Sequence, residues 1–147
     1  MIHISRKRIN SIPVLEVVQA EKAIEALPTV IYYHGFNGEK ESSLTIAYKI
    51  AENGHRVILP DCYLHGERKD DTSQTNLGLS FWDIVMKNIN ELEEIKTYLV
   101  QNKLAYSDRI GIGGTSMGGI TTYGALRTYP WLKVAVVLMG TAKMTEY

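Results

Sequence analysis

Apolar positions along this chain fall into short runs separated by amphipathic stretches, and the period switches between the two. Residues 2–9 alternate loosely, as an edge strand does, and Val14-Leu15-Glu16-Val17-Val18 reads as the returning arm of a hairpin whose turn holds Ile12-Pro13. Residues 19–27 form a short connector with room for one helical turn. Thr29-Val30-Ile31-Tyr32-Tyr33 is β-branched and aromatic with no charge, the composition of a central strand. In residues 40–53 the apolar positions Leu44, Ala47, Ala51 and Ile46, Ile50 keep helical spacing, and Asn53-Gly54 is a helix stop. His55-Arg56-Val57-Ile58-Leu59-Pro60 predicts another buried strand.

A long polar loop over residues 61–78 follows. Ser80 and Asp83 then suggest a capping box opening the longest helix, with Val85, Ile89, Leu92, Ile95 and Leu99 as its buried stripe, running to about Asn102. Asp108–Ile112 predicts a short buried strand, Ile120–Tyr129 a helix stopped by Pro130, and Val134–Met139 a last buried strand, apolar on both faces. Buried strands alternating with amphipathic helices predict an α/β fold. It is a mostly parallel sheet with helices on both faces, built from an N-terminal β-hairpin, three strand-helix units and a last strand. An apolar strand with no later strand to cover its edge predicts self-association through that strand or its adjoining helices.

Composition narrows the function. The 147 residues suit one domain, 45% are apolar, and 16 basic side chains balance 16 acidic ones, so no nucleic-acid or membrane-surface partner is indicated. Cys62 is the sole cysteine, which fits a reducing compartment. The N-terminus carries no signal-like apolar run, and no stretch reaches the roughly 18 apolar residues of a membrane span. A cytoplasmic protein is the expectation. No His pair or Cys/His cluster has ligand spacing, so no metal is expected, and no organic cofactor is implied.

The chemistry concentrates in Gly114-Thr115-Ser116-Met117-Gly118, a G-x-S-x-G pattern placed between a predicted strand and a predicted helix. That context is what a nucleophile elbow requires: flanking glycines permit the sharp turn, and the helix N-terminus favours developing negative charge. A P-loop needs Lys then Ser/Thr after its last Gly, whereas Gly119 is followed by Ile120 and Thr121. A dinucleotide fingerprint beginning at Gly111 meets Ser116 where its third Gly belongs, with no acidic residue about 20 positions on. A second Gly-containing segment, His34-Gly35-Phe36-Asn37-Gly38, leaves the carboxyl end of a central strand, where α/β sheets gather ligands.

With HGF at 34–36, Asp61-Cys62-Tyr63-Leu64-His65-Gly66-Glu67-Arg68 and GTSMGG at 114–119, the chain resembles the α/β-hydrolase superfamily from about residue 13 onward. Within it the nearest likeness is to the dienelactone-hydrolase and prolyl-oligopeptidase-like bacterial esterases. The resemblance implies that Ser116 is the nucleophile of an acyl-enzyme mechanism on a small-molecule ester. It implies that the backbone N–H groups of Phe36 and Met117 form the oxyanion hole. It makes His34 a residue that orients its loop and His65 a loop residue, ordinarily a surface one; Asp61 reads as a cap on its strand end. Phe36, Tyr63, Phe81 and Trp82 serve an apolar site or the core equally well.

The resemblance breaks downstream of the elbow. The superfamily's triad runs Ser, then acid, then His. The histidines here are His3, His34, His55 and His65, all before Ser116, and the one later acid is Glu146. Residues 1–147 therefore read as a single, incomplete α/β-hydrolase domain, nearly inactive alone. Three accounts stand: the N-terminal part of a longer hydrolase, which the intact elbow favours; a short paralogue acting as a non-catalytic, self-associating binding module; or a chain completed by a second one.

Overall fold

The computed structural model describes residues 1–70 and 77–143. The strands are β1 (Ile2–Ile9), β2 (Ile12–Gln19), β3 (Leu27–Tyr33), β4 (Arg56–Pro60), β5 (Ala105–Thr115) and β6 (Leu132–Leu138). The helices are α1 (Leu44–Glu52), α2 (Phe81–Gln101) and α3 (Met117–Thr128). The sheet order is β1-β2-β4-β3-β5-β6. β1 pairs antiparallel with β2 and β2 with β4; every later pairing is parallel.

Period-2 alternation sorts each strand's side chains onto two faces. On one face Leu15, Val17, Val57, Leu59 and Tyr32 meet Ala47 and Ala51 of α1. On the other, Val14, Ile31, Ile58, Ile110 and Ile112 meet Ile84, Val85, Ile89, Leu92, Ile95 and Leu99 of α2, with Met117 and Ala125 of α3. The helical stripe read for α2 is thus its core-facing side, and α1 sits across the sheet from α2 and α3. Gly54, at φ +88°, ends α1 in the left-handed conformation that glycine takes without strain.

Four expectations need correction. Ile12-Pro13 lies in β2, paired against Ile9 and Arg8, and the turn is Asn10-Ser11, with Asn10 supplying the positive φ. Ser80 makes no side-chain cap; it ends a 3₁₀ turn, Leu77–Ser80, that runs directly into α2. β5 begins at Ala105, earlier than the hydrophobic pattern suggests, because its first half carries exposed Tyr106, Ser107, Asp108 and Arg109. β6 is not buried: Val134, Val136 and Leu138 are 59%, 53% and 40% exposed.

The reason for the last is positional. α3 covers the Ala135 and Val137 side of β6, Val137 reaching the spot where a Gly119 side chain would stand. Val134 shares the opposite face with Gly111, on the α1 side of the sheet. There α1 roofs β2 and β4, and no described helix reaches β6. The loop expected at 61–78 contains a 3₁₀ turn at Gly66–Arg68; its residues 71–76 lie outside the described residues, as does Glu146.

Candidate active site

β5 delivers the chain to Ser116, and α3 begins at the next residue. Ser116 itself sits at φ 55°, ψ −112°, a conformation that costs a side-chain-bearing residue about 1–3 kcal/mol. The glycines around it are compulsory. A Cβ on Gly114 would stand 2.1 Å from Gly118 O, and one on Gly118 would stand 2.1 Å from Tyr33 O. Backbone thus packs on backbone, and the ends of β3 and β5 close on each other. The turn is held by Ser116 N–H donating to Leu138 O (2.8 Å) and Ile120 N–H to Ser116 O (3.1 Å). The serine side is exposed, and its hydroxyl makes no hydrogen bond to any described residue.

The segment leaving β3 folds into a β-turn closed by Gly38 N–H to Gly35 O (3.0 Å). Its third residue, Asn37, has φ 65° while Phe36 stays negative, the signature of a type II turn. A side chain on Gly35 would lie 3.5 Å from Ser116 Cβ, so this turn and the elbow are in contact. Among the described residues neither Phe36 N–H nor Met117 N–H donates to a protein acceptor. The structure therefore brings Ser116, Phe36 and Met117 together at the carboxyl ends of β3 and β5, two neighbouring strands inside the sheet.

Two histidines pin this turn to the loop after β4. His34 Nε2 accepts from Cys62 N–H (3.0 Å), and its Nδ1 meets Gly35 O at 2.7 Å, so Nδ1 carries the proton. His34 thus orients the loop, as the resemblance implied. His65 is 0% exposed, which overturns its reading as a surface residue. Its Nε2 accepts from Asn37 N–H (3.0 Å) and its Nδ1 donates to Tyr63 O (2.9 Å).

Burial pulls the His34 imidazole from 6.5 to about 4, against the Gly35 hydrogen bond that favours the charged ring. Burial also lowers His65. A histidine held neutral in the native state takes its proton first in the unfolded chain. Its contribution is therefore complete above pH 6.5 and is lost as pH falls toward 4. For His34 the loss is on the order of 3 kcal/mol. Urea midpoints measured from pH 7 to pH 4 should fall accordingly; a flat profile would contradict the burial of this ring.

Asp61 does more than cap β4. It is fully buried and accepts from Lys40 N–H (2.9 Å), Glu67 N–H (3.0 Å) and Lys40 Nζ (2.9 Å). Gly66, at φ 54°, lies so close that a Cβ would meet Asp61 Oδ1. Burial works against the Lys40 charge, but hydrogen bonds to Glu67 and Asp61 prevail and raise its pKa. Arg68 grips Glu91 of α2 through two 2.9 Å bonds. The sequence shows each of these residues but not the pairing of Lys40 with Asp61, 21 positions apart, or of Arg68 with Glu91, 23 apart. Phe36 and Phe81 are in contact, ring centroids 5.8 Å apart, and half-buried against the α2 core, while Trp82 stays 44% exposed.

No histidine is placed to serve Ser116. Both nitrogens of His34 and His65 are committed to backbone groups. His55 precedes β4, at the opposite end of the parallel strands, and its buried Nδ1 has no partner. His3 lies on β1, four strands from β5. Among the described residues no group of three acidic, His or Cys side chains is arranged to hold a metal ion, and no helix is long and apolar enough to cross a membrane.

A strand, a strained serine elbow and a helix, beside a second glycine turn on the neighbouring strand, are the α/β-hydrolase arrangement. Comparison makes the assignment specific: residues 15–146 match the Dienelactone hydrolase family, and the chain belongs to it. It is similar to YitV of Bacillus subtilis (strain 168), a candidate esterase by its name, at 44% identity over 99% of this chain and 57% of that protein. It is similar to esterase YjfP of Escherichia coli (strain K12) at 30% identity, over 99% of this chain and 58% of that one. The chain therefore spans little more than half the length of these relatives. The fold agrees with a dienelactone hydrolase crystal structure from Anabaena variabilis ATCC 29413 at a TM-score of 0.71 and 17% identity, covering 95% of this chain and 63% of that one.

Proposed function

We propose that this chain is the nucleophile-and-oxyanion-hole part of a carboxylesterase-type serine hydrolase acting on a small-molecule ester. What carries the reading is Ser116: exposed, held at positive φ, and flanked by two backbone donors, Phe36 N–H and Met117 N–H, that no acceptor among the described residues uses. Ser116 Oγ adds to the ester carbonyl carbon and passes its proton to a general base. The two amides take the developing oxyanion. Collapse expels the alcohol, which recovers a proton, and water later releases the acyl group.

In this reading residues 1–147 are a single, incomplete domain, and the base and its carboxylate come from outside them, because every histidine here is engaged or remote. Turnover by the chain alone should lie about 10⁴-fold or more below that of a complete hydrolase, since triad members act as a unit. The test is a fluorophosphonate probe followed by intact mass and peptide mapping. One slow adduct on Ser116, absent in Ser116→Ala, is the expected result. Adducts elsewhere, or none, would remove Ser116 from the mechanism.

The uncovered stripe Val134, Val136 and Leu138 favours a second reading, a non-catalytic module that self-associates through β6. Its mark would be an unlabelled Ser116 in a stable oligomer.

A further inference from the structure

A type II turn and a type I turn differ by a flip of their central peptide, the unit that carries the third residue's N–H. In the turn Gly35–Gly38 that unit is the Phe36–Asn37 peptide, and its N–H is taken by His65 Nε2 at 3.0 Å. The same imidazole lies edge-on against the Phe36 ring, centroids 5.6 Å apart, and tilted against His34 at 5.3 Å. It thus touches the side chain of the residue that presents the free amide and holds the N–H of the residue after it. It comes from a different loop, and that loop is itself fixed by Asp61, Asn88 and Arg68: Asn88 Oδ1 accepts from Tyr63 N–H at 2.9 Å, and Arg68 bonds both Asp61 O and Glu91.

We propose that His65, as the neutral Nδ1–H tautomer, is the positioning residue of the oxyanion turn, and that a proton on its Nε2 releases the Phe36–Asn37 peptide and disables the hole. The proposal rests on Phe36 as an oxyanion donor. Its physical content is a donor–acceptor conflict. With Nδ1–H already given to Tyr63 O, Nε2 must stay bare to accept Asn37 N–H; protonated, it points a donor at a donor. Either the ring leaves or the Phe36–Asn37 peptide turns over, and each removes the anchor of the turn whose first peptide, Gly35–Phe36, carries the hole's N–H.

The titratable and charged groups facing His65 are His34 on the oxyanion turn, and Asp61 and Lys69 on its own loop. Lys69 opposes the proton, and Asp61 favours it. The ring's burial keeps the switch below the ordinary histidine range. The hole is therefore assembled at neutral pH and released in acid.

The experiment compares wild type, His65→Gln and His65→Leu, all as the 147-residue chain. Gln places an acceptor that cannot be protonated near the Nε2 position; Leu keeps the volume and offers none. Imidazole ¹⁵N signals should show His65 as the Nδ1–H tautomer, and the Phe36 and Asn37 amide signals should move together as it titrates. In His65→Gln that acid transition should vanish, leaving only the one owed to His34. In His65→Leu both amides should already be displaced at pH 7, and phosphonate labelling of Ser116 should slow at least tenfold, with recovery in His65→Gln.

An Nε2–H tautomer, or Phe36 and Asn37 amides unchanged in His65→Leu, would overturn the proposal. The NMR readouts decide it even if Ser116 proves unreactive in every form, an outcome that would strike the esterase reading alone. Should His65→Leu fail to fold, the pH response of wild type against His65→Gln decides it.

Discussion

Gly118→Ala should destabilise the protein by at least about 3 kcal/mol, among the most severe effects of adding a single methyl group anywhere in the chain. The new Cβ would stand 2.1 Å from Tyr33 O, 2.7 Å from Tyr33 C and 2.9 Å from His34 O. All three are backbone atoms at the end of a central strand, so no rotamer change relieves them. The sheet and the elbow helix must separate, and the oxyanion turn that follows Tyr33 moves with them.

Gly124→Ala is the control. Its Cβ would meet Ile89 Cδ1 at 2.4 Å, the far end of a flexible side chain. Its helical position recovers about 1 kcal/mol of propensity, so the net change should be small. Urea unfolding of the two variants gives the comparison directly. Equal midpoints would mean that the approach of α3 to β3 is not what the elbow depends on.

Arg56→Ala should cost about 3–5 kcal/mol, for a different reason. Arg56 is fully buried at the start of β4. Its guanidinium donates to Glu16 Oε2 (2.9 Å) and to the carbonyls of Ala23, Glu25 and Leu104, tying the connectors before β3 and β5 to the hairpin. Removing it strands the carbonyls of Ala23 and Glu25, leaves Leu104 O to Leu27 N–H, and leaves Glu16, 3% exposed, with Lys7 alone. Arg56→Lys should recover little, because one ammonium cannot span a fork of four acceptors. Pairing Arg56→Met with Glu16→Gln should recover only part, since the carbonyls stay unsatisfied. A midpoint shift of Arg56→Ala within the scatter of exposed-surface variants would refute this account of the site.

Arg56 also shows where a one-dimensional reading runs out. The strand around it is plain, because Val57-Ile58-Leu59 need no partner to be recognised as apolar. A single arginine at a strand's start looks the same whether it points to water or to four acceptors drawn from three separate stretches of chain. The same holds for Lys40 with Asp61 and for Asn37 with His65. Each member is visible, but the bond is a property of the assembled sheet.

What could be read is what local geometry determines: the α2 stripe, the period of the inner strands, and both glycine turns with Ser116 and Phe36 in place. Where expectation and structure part, local chemistry was overruled from a distance. β6 has the composition of a core strand, yet composition does not say which faces receive a helix. The first half of β5 is polar, yet backbone pairing of Leu27 with Ala105 recruits it into the sheet.

The compulsory glycines carry a consequence for how such a chain changes over generations. Gly114 and Gly118 are required by the contact of two backbones, whether or not Ser116 ever meets an ester. Purifying selection for folding alone would preserve them, while the hydroxyl at 116 would drift freely once its chemistry ceased to matter. In a lineage descended from this protein, the serine is therefore the informative position and the glycines beside it are not. An elbow with its glycines intact and its serine replaced would be the fossil of an abandoned reaction, still folded around the place where it occurred.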